Sequence, residues 1–150
     1  MGRSTMRRGG RAWLTKEMLL PLSTENVRAL SLENHLVFAT VRAGRGDSDQ
    51  IANLLRIVYM AFYLRQETAS GAELDVYQQT EAALAACIDR AEQGSPWLLL
   101  DSEQMAVGRI LVLHDEQLAA VPKHRYLAAW DRLQRFVTGS GRSPIPARER

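Results

Sequence analysis

The chain has 150 residues, 46% of them hydrophobic and 24% charged, the size and balance of a single globular domain, which excludes disorder throughout. Its net charge of +2 belongs to the ends. Residues 1–11 carry four arginines and residues 139–150 carry three against Glu149, so the body between them is net −4 and a basic domain surface is excluded.

Taken in chain order, Met1 to Arg11 is rich in Arg and Gly and leads into no apolar signal core. Residues 1–12 are therefore expected to be a disordered basic tail, from which an internal start at Met6 would remove little but charge. Trp13 to Leu20 can add a short helical turn ended by Pro21. Ser23 is a natural N-cap for a helix to about Ala43, with Gly44 just past its end. Val27, Leu30, Asn34, Val37 and Val41 make one row along it, and Leu32, Leu36, Ala39 and Ala43 a second, so burial on two sides is expected. Ser31 with Asn34 could instead restart this helix at residue 32.

Asp47 with Gln50 reads as a capped start for a helix over about 48–67. It carries Ile51, Leu54, Leu55, Val58 and Phe62 on one face and Ile57, Met60, Ala61 and Leu64 beside it. This is the longest apolar stretch, but Asn53 and Arg56 break it, and it is too short to span a bilayer. A helix apolar all round belongs at the centre of a bundle or in a subunit interface. Ser70-Gly71 breaks the chain, and a third helix over about 72–93 places Leu74, Tyr77, Leu84 and Ile88 in a row before Gly94-Ser95-Pro96. Trp97 to Leu100 reads as an apolar connector, with room for one helical turn from Pro96.

Asp101 to Gln104 caps a fourth helix to about Ala120, with Met105, Val107, Ile110, Leu111, His114 and Leu118 inward. Pro122 then opens a fifth helix or kinks a continuous one; Tyr126, Trp130, Leu133 and Val137 share a stripe, and Gly139 ends it. Residues 139–150, rich in Pro, Gly and Ser, are expected to form a second disordered tail. With no stretch alternating as a strand would, the pattern predicts an all-α antiparallel bundle of about five helices over residues 13–138, joined by short loops.

No motif points to catalysis, a metal or a cofactor. No glutamate precedes His35, His114 or His124 by three positions, and His114-Asp115-Glu116 points around its helix without converging. Cys87, the only cysteine, sits in an alanine-rich helix where a small buried thiol stays inert, and no nucleophile elbow occurs. Gly44-Arg45-Gly46 lacks a preceding strand, and Asp47 and Asp49 would repel phosphate. A DNA-binding helix-turn-helix wants a small residue four positions before its turn glycine; only Thr40 before Gly44 comes near, and an acidic helix start follows.

The runs Leu30-Ser31-Leu32-Glu33-Asn34-His35-Leu36 and Arg42-Ala43-Gly44-Arg45-Gly46 resemble those of short all-helical bacterial orphan proteins. So do Leu100-Asp101-Ser102-Glu103-Gln104 and His124-Arg125-Tyr126-Leu127, the likeness covering most of residues 20–138. Some of those proteins are labelled as regulators like the Fis family. The helix-turn-helix that such a label implies is the one not found here, so its function is not carried over.

These readings converge on a cytoplasmic, non-enzymatic helical protein–protein interaction module that self-associates or serves as an adaptor, without cofactor or membrane attachment. Its surplus of apolar helix faces suggests an interface at Ile57, Met60, Ala61 and Leu64, where a charge at Ile57 or Met60 would break an oligomer. The alternative is a nucleic-acid-associated regulator that contacts phosphates through Arg3, Arg7, Arg8 and Arg11, with steep salt dependence and little sequence preference. A third reading is a small-ligand-binding bundle with a pocket near Trp97 and Trp130.

Overall fold

The computed structural model describes residues 14–139 and 142–148. Among them the chain forms six α-helices and one 3₁₀ turn, and no strand, so the fold is an all-α bundle. No helix among the described residues is long and apolar enough to cross a membrane.

Local chemistry sets most helix starts. Thr15 caps the short α1, Lys16–Leu19. Ser23 Oγ accepts from Asn26 N at 3.2 Å and opens α2, Thr24–Arg42, which runs without a restart at Ser31. Gly44 (φ 77°) takes the left-handed conformation that ends it. Asp47 and Gln50 form a reciprocal capping box that starts α3, Ser48–Tyr63. The 3₁₀ turn Ala69–Gly71 precedes α4, Leu74–Glu92. Helix α5, Asp101–Ala120, begins one residue earlier than a cap at Asp101 would imply: Glu103 reaches back to accept from Leu100 N at 2.8 Å. Pro122 opens α6, Lys123–Thr138, as a separate helix.

Helices α2, α3, α4 and α5 pack as a four-helix body with α3 touching all the others, while α6 packs on α3 and α1 on α6. From α2 to α5, where each helix packs on the next, short connections make sequential neighbours antiparallel. The main core gathers Ile51, Leu54, Val58, Tyr77, Leu84 and Ile110; a smaller one joins Met60 and Leu64 of α3 to Val121, Ala129 and Leu133. Helix α1 buries nothing of its own and is tied to the start of α6 by Lys123 N to Leu20 O at 2.9 Å and by Lys123 Nζ to Glu17 at 2.8 Å.

The structure corrects three expectations. Helix α3 ends at Tyr63, not 67, because Leu64 is buried and the chain turns back at Gly71, where a Cβ would stand 2.6 Å from Arg65 O. Trp97 to Leu100 forms the expected connector, without a helical turn. Helix α2 is buried on one side only: Leu32 and Leu36 of the second row are 61% and 56% exposed, and Met105 of α5 likewise faces out at 63%. Residues 142–148 do not behave as a free tail. Ile145 enters the main core, Gln78 Nε2 donates to Pro146 O at 2.8 Å, and Ser143 Oγ donates to Glu81.

Candidate functional site

Helices α2 and α6 both pack on α3 and make no extensive contact with each other, and between them lies a groove with a cavity of about 380 Å³. Leu30, Glu33, Asn34 and Val37 form its α2 wall, and Tyr126, Leu127, Trp130 and Leu133 form its α6 wall. The spacing of three and four residues on each wall is the helical period, which makes ridges along both sides. Ile57 and Met60 of α3 and His114 and Leu118 of α5 line the space between the walls, with Asn53 and Arg56 of α3 at its edge. Trp130 is 45% exposed, so much of its ring faces solvent.

The apolar surface does not stop at the groove. Ala29, Leu32 and Leu36 of α2 flank a shallower hollow that shares Glu33 and Val37 with it. Two charges stand at the rim without an ion-pair partner among the described residues, Glu33 on α2 and Arg56 on α3; Arg56 donates only to Asn53 Oδ1, at 3.2 Å. Tyr126 lies beside Glu33, and burial, then that carboxylate, raise its hydroxyl pKa.

The one buried polar residue among the groove's described lining is held by a network. His114 is 3% exposed, and its Nδ1 sits 2.9 Å from Gln117 Oε1. The Gln117 amide is oriented by its other end, where Nε2 donates to Ala61 O at 2.9 Å. Its oxygen must therefore face His114, so Nδ1 carries the proton and Nε2 the lone pair. Burial holds the ring below its ordinary pKa against the raising effects of Gln117 and Asp115. Nε2 makes no hydrogen bond to any described residue, and since no fully buried side-chain nitrogen or oxygen among them lacks a partner, it retains a small accessible area on the ring that lines the groove.

Other polar clusters are used up by the fold. His35 Nε2 meets Asp115 at 2.8 Å and ties α2 to α5. Arg90 grips both oxygens of Glu103 and donates to Leu98 O at 3.0 Å, pinning the 93–100 connector. Burial works to raise the Glu103 carboxyl, but Arg90 and the Leu100 amide hold it below its ordinary pKa. Cys87 is buried beside Leu98 O at 3.4 Å, and desolvation raises its thiol pKa, the opposite of an activated nucleophile. Among the described residues no three His, Cys, Asp or Glu side chains come together as a metal site.

Of the residues singled out from sequence, Ile57, Met60, Ala61 and Leu64 are all buried within the monomer, Met60 at 4%. They are core, so the interface expected there is corrected: the surplus apolar faces of α3 are absorbed by α2, α5 and α6. Trp130 lines the groove, but Trp97 is not part of its lining and packs against the main core. Arg3, Arg7, Arg8 and Arg11 lie outside the described residues. Sequence reasoning placed His114 inward but missed its link to Gln117, whose only local signal is a His and a Gln three apart on an inward face. No protein-family model, curated protein or solved structure matches this chain.

Proposed function

We propose that the chain is a non-enzymatic interaction module whose docking surface is the α2–α6 groove with the adjoining Leu32–Leu36 strip, and that its occupant is an amphipathic helix of a partner protein. The observation that carries this reading is the groove itself: two helices flank a third with no extensive packing between them, and their facing ridges repeat at the helical period. A third helix laid in the gap would complete ridge-into-groove packing. The unpaired rim charges specify its flanks, a basic residue opposite Glu33 and an acidic one opposite Arg56. Leu32, Leu36, Leu127 and Trp130 are exposed apolar side chains on or beside one groove, not scattered singly over the surface.

The test places a photo-cross-linking amino acid at Trp130 in the full chain and maps the captured peptide in native lysate. Support is a cross-link to an apolar-striped helical segment that is lost on Leu127→Glu. Cross-links only to a second copy of this chain, to peptides with no such stripe, or none at all overturn the partner-helix reading.

A further inference from the structure

His114 is the one buried polar side chain among the groove's described lining residues, and part of its hydrogen-bonding capacity is not used by them. Gln117 fixes the His114 ring with its proton on Nδ1, so the other nitrogen, Nε2, is an acceptor to which no described residue donates. Around it stand Ile57, Met60, Leu118 and Leu133, which are all buried hydrophobics. An occupant that fills this space with aliphatic atoms alone would cut Nε2 off from water and leave it unsatisfied, which is costly. A serine or threonine can donate but leaves the apolar space empty, and a lysine would strip its charge of water there. We infer that the partner helix seats at this point an aromatic side chain with a donor at its tip, a phenol or an indole, whose O–H or N–H donates to His114 Nε2. Such a side chain supplies a large apolar body and one polar end, the combination the floor presents in reverse. The cavity of about 380 Å³ equals about a dozen waters at liquid density, which is ample for one such ring.

This inference rests on the groove being a docking site, but its test reads the floor alone. 4-Methylphenol and 4-methylanisole share a ring and differ in the donor. Each is titrated into the full chain at neutral pH and followed by backbone amide shifts and the Trp130 indole N–H. The expected result is saturable binding at the groove with the phenol preferred about fivefold, the value of one net hydrogen bond. In His114→Phe that preference should vanish while both probes still bind. Should this variant fail to fold, long-range proton–nitrogen spectra of wild-type imidazole decide: the Nε2 resonance should move with the phenol and stay with the ether. Equal affinity in wild type, a preference that survives His114→Phe, an unmoved Nε2 resonance, or no saturable binding overturns the inference. The cross-link from position 130 can fail while this preference stands, so the two proposals fall separately.

Discussion

Two grooves run beside α3, one toward α4 and one between α2 and α6, and the chain treats them differently. Over the α3–α4 groove it lays its own segment 142–148: Ile145 enters the core, Ser143 and Pro146 bond to α4, and Arg148 approaches Asp75 at 3.7 Å. Over the α2–α6 groove no described residue is laid, although its walls are at least as apolar. A covered groove contributes to stability, whereas an open one leaves apolar surface in water that a partner can remove. The contrast separates the part of the surface that serves the fold from the part available for recognition.

The sharpest way to break this contrast is to charge what lies beneath the open groove. Met60 is 4% exposed and belongs to the core shared by α3 and α6. Met60→Glu should cost about 4 kcal/mol or more, since an unpaired carboxylate would be buried. Circular dichroism with urea denaturation should show a chain unfolded or barely cooperative. A well-folded monomer with near-normal stability would return Met60 to the role of an interface residue.

Next in size comes the covered groove. Ile145→Ala removes the one side chain that anchors the strap in the core. The cost should be about 2 kcal/mol, the low end for deleting a buried isoleucine, because an edge segment can relax. An unchanged urea midpoint would mean the strap contributes nothing to the fold.

How far these features could be read in advance depended on how local their causes are. The starts of α2 and α3 follow from Ser23 and from Asp47 with Gln50, each acting within three residues, and so were legible. The end of α3 was not: the apolar pattern continues through Leu64, and what turns the chain is packing of Gly71 on Arg65 and the Tyr77 hydroxyl donating to Gly71 O at 2.8 Å. The strap was hidden for a similar reason. Pro144-Ile145-Pro146 looks like a linker, and only the lone isoleucine between prolines hints at an anchor. Trp130 and inward His114 were visible residue by residue. Their common groove was not, because it depends on α2 and α6 sharing α3, a matter of topology that no periodicity encodes. The same ignorance assigned the apolar excess of α3 to an interface and expected α2 to be buried twice.

A third expected effect is smaller and pH-dependent. Burial lowers the His114 pKa from 6.5, so the unfolded chain takes up a proton at a pH where the folded ring stays neutral. The contribution is fully present above 6.5 and is lost progressively as pH falls below it, by at most about 1.4 kcal/mol per pH unit. Of the charged or titratable groups on the surrounding elements, Glu33 on α2, Arg56 on α3 and Tyr126 on α6 line the same groove, and Asp115 on α5 acts on the ring itself. Glu103, held below 4.5, acts only in more acid solution, which keeps the two effects apart. Unfolding free energies between pH 7 and 5 should decline in wild type and decline less in His114→Phe. Parallel curves for the two proteins would show that His114 is not held neutral by the fold.

The smallest expected effect is on the strip beside the open groove. Leu32 and Leu36 are 61% and 56% exposed, so Leu32→Glu with Leu36→Glu removes little buried area. The change in stability should stay within about 0.5 kcal/mol, the usual range for surface substitutions. The same pair of changes distinguishes a free strip from one covered by a second copy. If the chain self-associates through this strip, association adds to apparent stability by mass action, and the wild-type melting temperature must rise with protein concentration. The double variant would then lose that rise and melt lower at high concentration only. For a strip reserved for a different protein, wild type and variant should melt together at every concentration, with sedimentation showing monomers in both. A concentration-dependent gap between them would transfer the occupant of the groove's border from a partner helix to α2 of another copy.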